Sequence, residues 1–332
     1  MDDRRHPSTD FSSGISAGSR FPGRARGLVL LGAAALALLA SGAAPSRAQA
    51  PATVDAVYPA KERGEVEIQV SAGTIRVIGE ARRDIAVSGR LGSDVAAWDV
   101  FHEGRFARFH AVPPGGVADG SLDLAVDLEL RIPLGNSVRL QSMEGRNLIE
   151  NVTGTVTVSA ATAEIIVRGA PRRVDVTTVS GPIEVEIESP DAVLKSVSGP
   201  IDVGGRIEHL IAETVDTELR VEAAIRTEAL LRSVVGEVRF DGELEETARL
   251  KVETSSADAY VRLPAKPTGS FRVETSGGAL HGRLGDEDVP ALRAERGRRI
   301  SAWTRGDAPR QVAVRTVDGD IHLQTGALPS PE

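Results

Sequence analysis

Three groups of side chains in this 332-residue chain have types and spacings that can carry chemistry. Glu184 and Asp202 stand 18 residues apart in nearly the same context, each between two aliphatic residues. Paired carboxylates about 5–10 Å apart do acid and base work on glycosidic bonds. Arg220 and Arg239 follow at steps of 18 and 19. The same column therefore also reads as a ladder of charges in which Asp202 faces Arg220. His281 and His322 each stand three residues after a repeated glycine, Gly278 and Gly319. They form a metal pair if their segments are neighbours, and solvated surface otherwise. Arg293, Arg296, Arg298, Arg299 and Arg305, with Trp303, make the one basic patch. It is the candidate contact for anionic polysaccharide or lipid headgroups.

The familiar catalytic signatures are missing. After residue 50 the chain has no G-x-S-x-G, H-E-x-x-H or P-loop, and no G-x-G-x-x-G opening a helix. The acidic run from Asp286 to Asp288 lacks the spaced glycines of calcium-binding repeats. The expectation is of no catalytic residue, no metal and no cofactor.

The elements that must position these groups repeat. Val179-Ser180-Gly181-Pro182-Ile183 returns as Val197-Ser198-Gly199-Pro200-Ile201, and as Val317-Asp318-Gly319-Asp320-Ile321. Taking the turn residue as a slot, slots fall at Gly73, Gly145, Ala163, Gly181, Gly199, Thr217, Gly236, Ala257, Gly278 and Gly319. From Gly145 the steps are 18, 18, 18, 18, 19, 21, 21 and then 41, the last read as two periods. Behind the slots come apolar residues read as inward: Ile75, Leu148, Ile165, Ile183, Ile201, Leu219, Val238, Ala259, Leu280 and Ile321, with Glu150 and Gly282 as misfits. A second, variable turn is read at segments such as Ser189-Pro190-Asp191 and Gly204-Gly205. Alternation of this kind marks half-buried strands.

The fold expected is all-β: a β-solenoid, parallel β-helix or roll-like, of coils of about 18–21 residues with an N-terminal β cap. The alternative is an antiparallel β-meander or sandwich. A regular slot turn beside a variable second turn favours stacked coils. Aromatics are only 3% of the chain, which suits a thin aliphatic core. The best helical stretch runs from Asp288 to Arg299. Most aromatics cluster at Trp98, Phe101, Phe106 and Phe109, as a small core or a sugar-stacking platform.

Residues 1–50 read as a signal peptide. Arg20, Arg24 and Arg26 precede an apolar run of 13 residues from Leu28 to Ala40, with small residues after it. Cleavage is expected after Ala48 or Ala50. Residues 51–137 read as the cap, 138–325 as the repeats and 326–332 as a disordered tail. Removal of the leader takes away 6 Arg and 3 Asp, leaving 33 basic and 44 acidic residues, a net of −11. Such a body does not suit nucleic acid. The chain has no cysteine, so it has no disulfide framework and no lipobox anchor.

The alternating strand from Leu122 to Pro133, the first slot after Val138, the stretch Asn151 to Gly154, the two Ser-Gly-Pro-Ile repeats and the closing Thr316 to Ile321 resemble a bacterial family of β-strand-repeat proteins known as putative adhesins, of unknown function. The likeness covers roughly residues 64–325, and the charged insert from Asp286 to Arg310 departs from it. It implies an exported, non-catalytic envelope or cell-surface protein, adhesin-like or structural, with no catalytic residues carried over. The expected partner is an envelope polysaccharide or another envelope protein. The expected location is the periplasm, the cell surface or the extracellular space. The alternative is a carbohydrate-active β-helix enzyme acting on envelope or extracellular polysaccharide.

Overall fold

The computed structural model describes residues 52–114, 122–264, 267–295, 297–307 and 309–326. The leader read at 1–50, and the tail beyond residue 326, lie outside them. The described residues form 26 strands and no α-helix. The described residues from Asp288 to Arg299 hold short strands and no helix. Arg293–Glu295 and Arg298–Arg305 form an antiparallel pair beside Gly297, whose φ of 79° favours glycine.

Two ladders of parallel strands run through the repeats. One joins segments 137–142, 155–160, 173–178, 191–196, 209–213, 228–232, 249–253 and 311–315. The other joins 146–150, 164–169, 183–189, 201–207, 219–225, 238–241, 259–263 and 321–325. Each residue meets the one a period later, as Ile165 meets Ile183 and Ile183 meets Ile201. The antiparallel pairing of a meander is therefore absent from the described repeats. It occurs only at the two ends, for example Thr53–Pro59 on Asp84–Leu91 and Gly269–Thr275 on Arg298–Arg305.

Alternation places Val174, Val176, Ile183, Val185, Ile201, Val203, Leu219 and Val221 in one buried aliphatic cluster. Burying each such side chain contributes about 1.5–3 kcal/mol. The slot corner has its own local chemistry. A buried Ser or Thr stands three residues before most slots, from Ser142 before Gly145 to Thr316 before Gly319. Thr178 Oγ1 accepts the N–H of Gly181 at 3.1 Å, and Ser196 Oγ accepts that of Gly199 at 2.8 Å. Thr254 and Thr316 instead donate to the slot carbonyls of Ala257 and Gly319, at 2.7 and 2.6 Å. The next residue is thrown outward, which leaves Val179, Val197, Val215, Val234 and Val317 exposed in a file along the corners. The corner backbones bond from repeat to repeat, Val179 N to Ala161 O and Val197 N to Val179 O. A Cβ on Gly181 would stand 1.9 Å from the carbonyl oxygen of Ala163, so the close stacking requires glycine there.

Three sequence expectations change. First, the inward residue after Gly145 is Asn147, not Leu148. Asn147 is in register with Ile165 and is buried, and its Nδ2 donates to Ser142 Oγ at 2.7 Å. A polar inward residue disguised the register, and Glu150 is an ordinary outward residue paired with Arg76 at 2.9 Å. Second, the variable turn vanishes in three repeats. Ile183–Ser196, Ile201–Glu213 and Leu219–Arg232 each pass the corner as one continuous strand, so Ser189 to Asp191 and Gly204-Gly205 lie inside strands. Neighbouring strands bond these segments on both sides and carry them through the corner without a break. Third, the 41-residue step is not two successive periods. The Gly319 repeat lies between the Ala257 repeat and the Gly278 repeat, because 311–315 pairs with both 249–253 and 270–274.

The other end is built alike. Among the described residues of 51–137, Glu65–Gln69 lies between 106–110 and 137–141. Ala72–Glu80 lies between Ala125–Pro133 and the 146–150 segment. Antiparallel strands then cover both outermost repeats, which limits the length of open edge left for unwanted pairing.

Candidate functional site

The outward residues of the second ladder form rows. One row runs Glu184, Asp202, Arg220, Arg239, Tyr260, His322 and His281, each in register with the next. Asp202 and Arg220 are thus lateral neighbours, yet Arg220 turns its guanidinium to Glu218 at 2.9 Å. Arg239 also reaches Glu218, at 3.4 Å. Glu184 is taken by Arg168 at 2.8 Å. Burial lifts the Asp202 carboxyl above its ordinary value, against the pull of Arg220.

The next row holds Glu186, Gly204 and Glu222. Gly204 leaves a notch, and the Glu186 carboxylate folds into it. A Cβ built on Gly204 would overlap the Glu186 carboxylate oxygen, 1.9 Å away. Gly205 follows with φ 93°, its virtual Cβ 2.1 Å from the carbonyl oxygen of Ile187. Around this notch lies an open groove of about 1160 Å³ that crosses five neighbouring strands. Seven carboxylates line it, Glu184, Glu186, Glu188, Asp202, Glu222, Asp241 and Glu243, together with Arg168, Arg206 and Arg220. Arg206 stands 3.9 Å from Glu188, and Asp241 holds Arg262 at 3.4 Å. Among the described residues, Glu186, Asp202, Glu222 and Glu243 have no such ion pair.

Chemically the groove offers hydrogen-bond acceptors at strand spacing, about 4.8 Å apart. Its described lining has no His, Ser, Thr, Tyr or Lys, so the groups there that could act as nucleophile or base are the carboxylates. Gly204-Gly205 was the sequence signal for it, but the pair has the composition of a turn and reads as one.

The first ladder carries a second charged row: Lys195, Glu213, Arg232, Glu253, Arg315 and Glu274. Its signs alternate. Lys195 meets Glu213 at 3.2 Å, Arg232 meets Glu213 at 3.1 Å and Glu253 at 2.8 Å, and Arg315 meets Glu274 at 3.8 Å. Burial pushes the Glu213 and Glu253 carboxyls up. Hydrogen bonds from Lys195 and Arg232 to Glu213, and from Lys251 and Arg232 to Glu253, outweigh it, so both end below their ordinary value. Carboxyls lowered by folding stabilise the protein above the ordinary carboxylate range, and that stability is lost as pH falls through the lowered values. Arg232→Ala is expected to cost about 1 kcal/mol in urea melts at neutral pH and low salt. The loss should shrink in high salt and in acid. A loss that is the same at pH 7 and pH 3 would contradict the row's electrostatic role.

The residues of the expected basic patch are spread over the C-terminal cap. Arg298 pairs with Glu274 at 2.6 Å. Arg299 donates to the Gly278 carbonyl at 3.0 Å, and Arg305 to that of Leu284. Trp303 stacks on buried Phe271, with centroids 5.3 Å apart. Arg293 is exposed in its short strand, and Arg296 lies outside the described residues. At the other end, Phe109 is buried under Trp98 and Tyr58, while Phe101 stays exposed beside Phe106 and Arg108.

No protein-family model matches the chain, and no curated protein matches it. Two solved structures are similar to it in part. A "putative cell adhesion protein" from Clostridium sporogenes ATCC 15579 is 9% identical, with 83% of this chain and 100% of that chain covered and a TM-score of 0.21. A "putative adhesin" from Bacteroides fragilis NCTC 9343 is 9% identical, with 82% and 97% covered and a TM-score of 0.40.

Proposed function

We propose that the chain is a non-catalytic, exported envelope or cell-surface protein, adhesin-like or structural. In this reading its two parallel ladders wind as a β-solenoid of 18–21-residue coils, and the groove over Gly204 takes an extended polar ligand. The observation that carries it is the groove itself, which crosses five neighbouring strands with hydrogen-bond acceptors in rows. The repeat-to-repeat register supports the solenoid. The basic flank and apolar run that end at Ala40 support export. The resemblance over residues 64–325 supports the adhesin-like reading. An envelope polysaccharide is the preferred ligand, because carboxylates accept hydrogen bonds from its hydroxyls and Arg168, Arg206 and Arg220 donate to them.

One observation favours a second reading, hydrolysis of such a polysaccharide. Glu186 and Glu222 flank Gly204, two strand spacings apart, or about 9.6 Å. That is the spacing of their backbones; the Glu186 carboxylate leans over Gly204 toward Glu222, which brings the two carboxyls nearer, and glycosidases use carboxyl pairs roughly 5–9.5 Å apart. An array of bacterial envelope glycans, read for both binding and released product, separates the two. Binding without product, lost in Gly204→Val and weakened in Glu222→Gln, is expected. Product that disappears in Glu186→Gln would replace the first reading with the second. Binding untouched by all three substitutions would remove the groove from both.

A further inference from the structure

The row of outward residues ends in a feature the groove does not use. His322 belongs to the inserted last repeat and His281 to the outermost one, in register on adjacent parallel strands. Their rings lie 5.1 Å apart at 19°. On its other face His322 stacks on Tyr260, 4.4 Å away and nearly parallel at 4°, and Arg239 covers the far side of Tyr260 at 5.0 Å. Tyr260 thus fixes the plane of His322, while His281 has more than half of its side chain in solvent. Beside them stands Asp320. Its Oδ1 accepts the N–H of Ala279 at 2.7 Å, and its Oδ2 faces His281 Nε2 at 3.5 Å. The Ala279 hydrogen bond, helped by the two histidines and opposed by burial, holds the Asp320 carboxyl below its ordinary value. Its own N–H is tied to Asp258 Oδ1 at 2.8 Å.

We propose that His281, His322 and Asp320 form a site for a borderline divalent transition ion such as Zn²⁺ or Ni²⁺, which clasps the inserted last repeat to the outermost one. Two imidazoles and a carboxylate are the donors such ions prefer, and they leave a coordination position open. A backbone N–H that orients the carboxylate from behind is the usual outer support of such a ligand. In the stacked pose the three donors do not surround one point. Closure needs the exposed His281 ring to tilt toward His322, a side-chain rotation of the picosecond-to-nanosecond kind. The ion then bridges two strands whose order in the sheet is the reverse of their order in the chain.

Isothermal titration of the untagged protein with Zn²⁺ and with Ni²⁺ tests this, with Co²⁺ absorption reporting nitrogen ligation. One saturable site per chain is expected. His281→Ala and His322→Ala should each weaken it by more than about tenfold, and Asp320→Asn by about tenfold. His209→Ala should leave it unchanged. His209 faces Asp191 at a similar 3.6 Å, but the next strand offers Glu228 instead of a second imidazole. Zn²⁺ should also slow proteolysis of the C-terminal cap in the native sequence and not in the two His variants. No saturable binding, binding that survives in both His variants, equal loss in His209→Ala, or displacement by excess Ca²⁺ would each overturn the clasp.

Discussion

A chain ended at Arg310 is expected to lose its C-terminal cap and to unfold at a much lower urea concentration than the full chain. Residues 311–325 are hydrogen-bonded on both sides, to 249–263 and to 270–284. They bury Val312, Val314, Ile321 and Leu323, each at most 2% exposed. Four such side chains contribute about 6–12 kcal/mol at 1.5–3 kcal/mol each. That is comparable with the whole stability of an ordinary domain, about 5–15 kcal/mol. The deletion also leaves a strand-wide gap, so Gly269–Thr275 and Arg298–Arg305 lose their link to the body of the sheet. Stability in stacked repeats is carried by nearest neighbours, so the central repeats should survive while the cap frays. Limited proteolysis should cut first between residues 267 and 310, and circular dichroism should show a lower urea midpoint. A chain ended at Thr325 serves as the control and should melt as the full chain does. An unchanged midpoint for the shorter truncation would show that the last repeat is not inserted where the structure places it.

Ile201→Ala is expected to cost about 2–5 kcal/mol. Ile201 is fully buried and stands in register between Ile183 and Leu219, so truncation leaves a hole lined by two neighbouring repeats. Glu184, three residues after the slot glycine Gly181, faces solvent, and Glu184→Ala should stay within about 0.5 kcal/mol. Its one ion pair, to Arg168, has both side chains about half exposed. Urea melts of the two variants measure the difference. If Glu184→Ala proved the costlier, the strand would be turned by one residue, which exchanges its two faces.

Much of this fold was legible because its causes are local. Alternation has a period of two, so Ile183, Val185, Ile201 and Val203 identify themselves as inward without knowledge of their partners. The recurring slot corner is equally local, since Thr178 and Ser196 bond to glycines only three residues away. The register failed at Gly145 for a related reason. Asn147 breaks the apolar code, and its satisfaction by Ser142 is invisible in a hydropathy pattern. The candidate groove was hidden because Gly204-Gly205 is turn-like in isolation. Only the strands carrying Glu186 and Glu222 hold it within the sheet and make it a notch. The arginines from Arg298 to Arg305 read as free charge because their acceptors, Glu274 and the carbonyls of Gly278 and Leu284, are 21 to 24 residues away in the chain.

By itself, then, the amino-acid sequence determined the all-β class, the period and most of the inward residues. Tertiary structure alone decided the order in which the repeats stack at the two ends. Every repeat edge offers the same N–H and C=O groups, so the period is silent about which edge a strand will meet. The choice falls to closure of the long excursions between 84 and 133 and between 285 and 310. It also falls to the antiparallel strands within them that cover the outermost repeats. That same choice brought His281 and His322 together across 41 residues of chain. No spacing rule read along the sequence contains it, because the contact exists only once the last repeat has entered between two earlier ones.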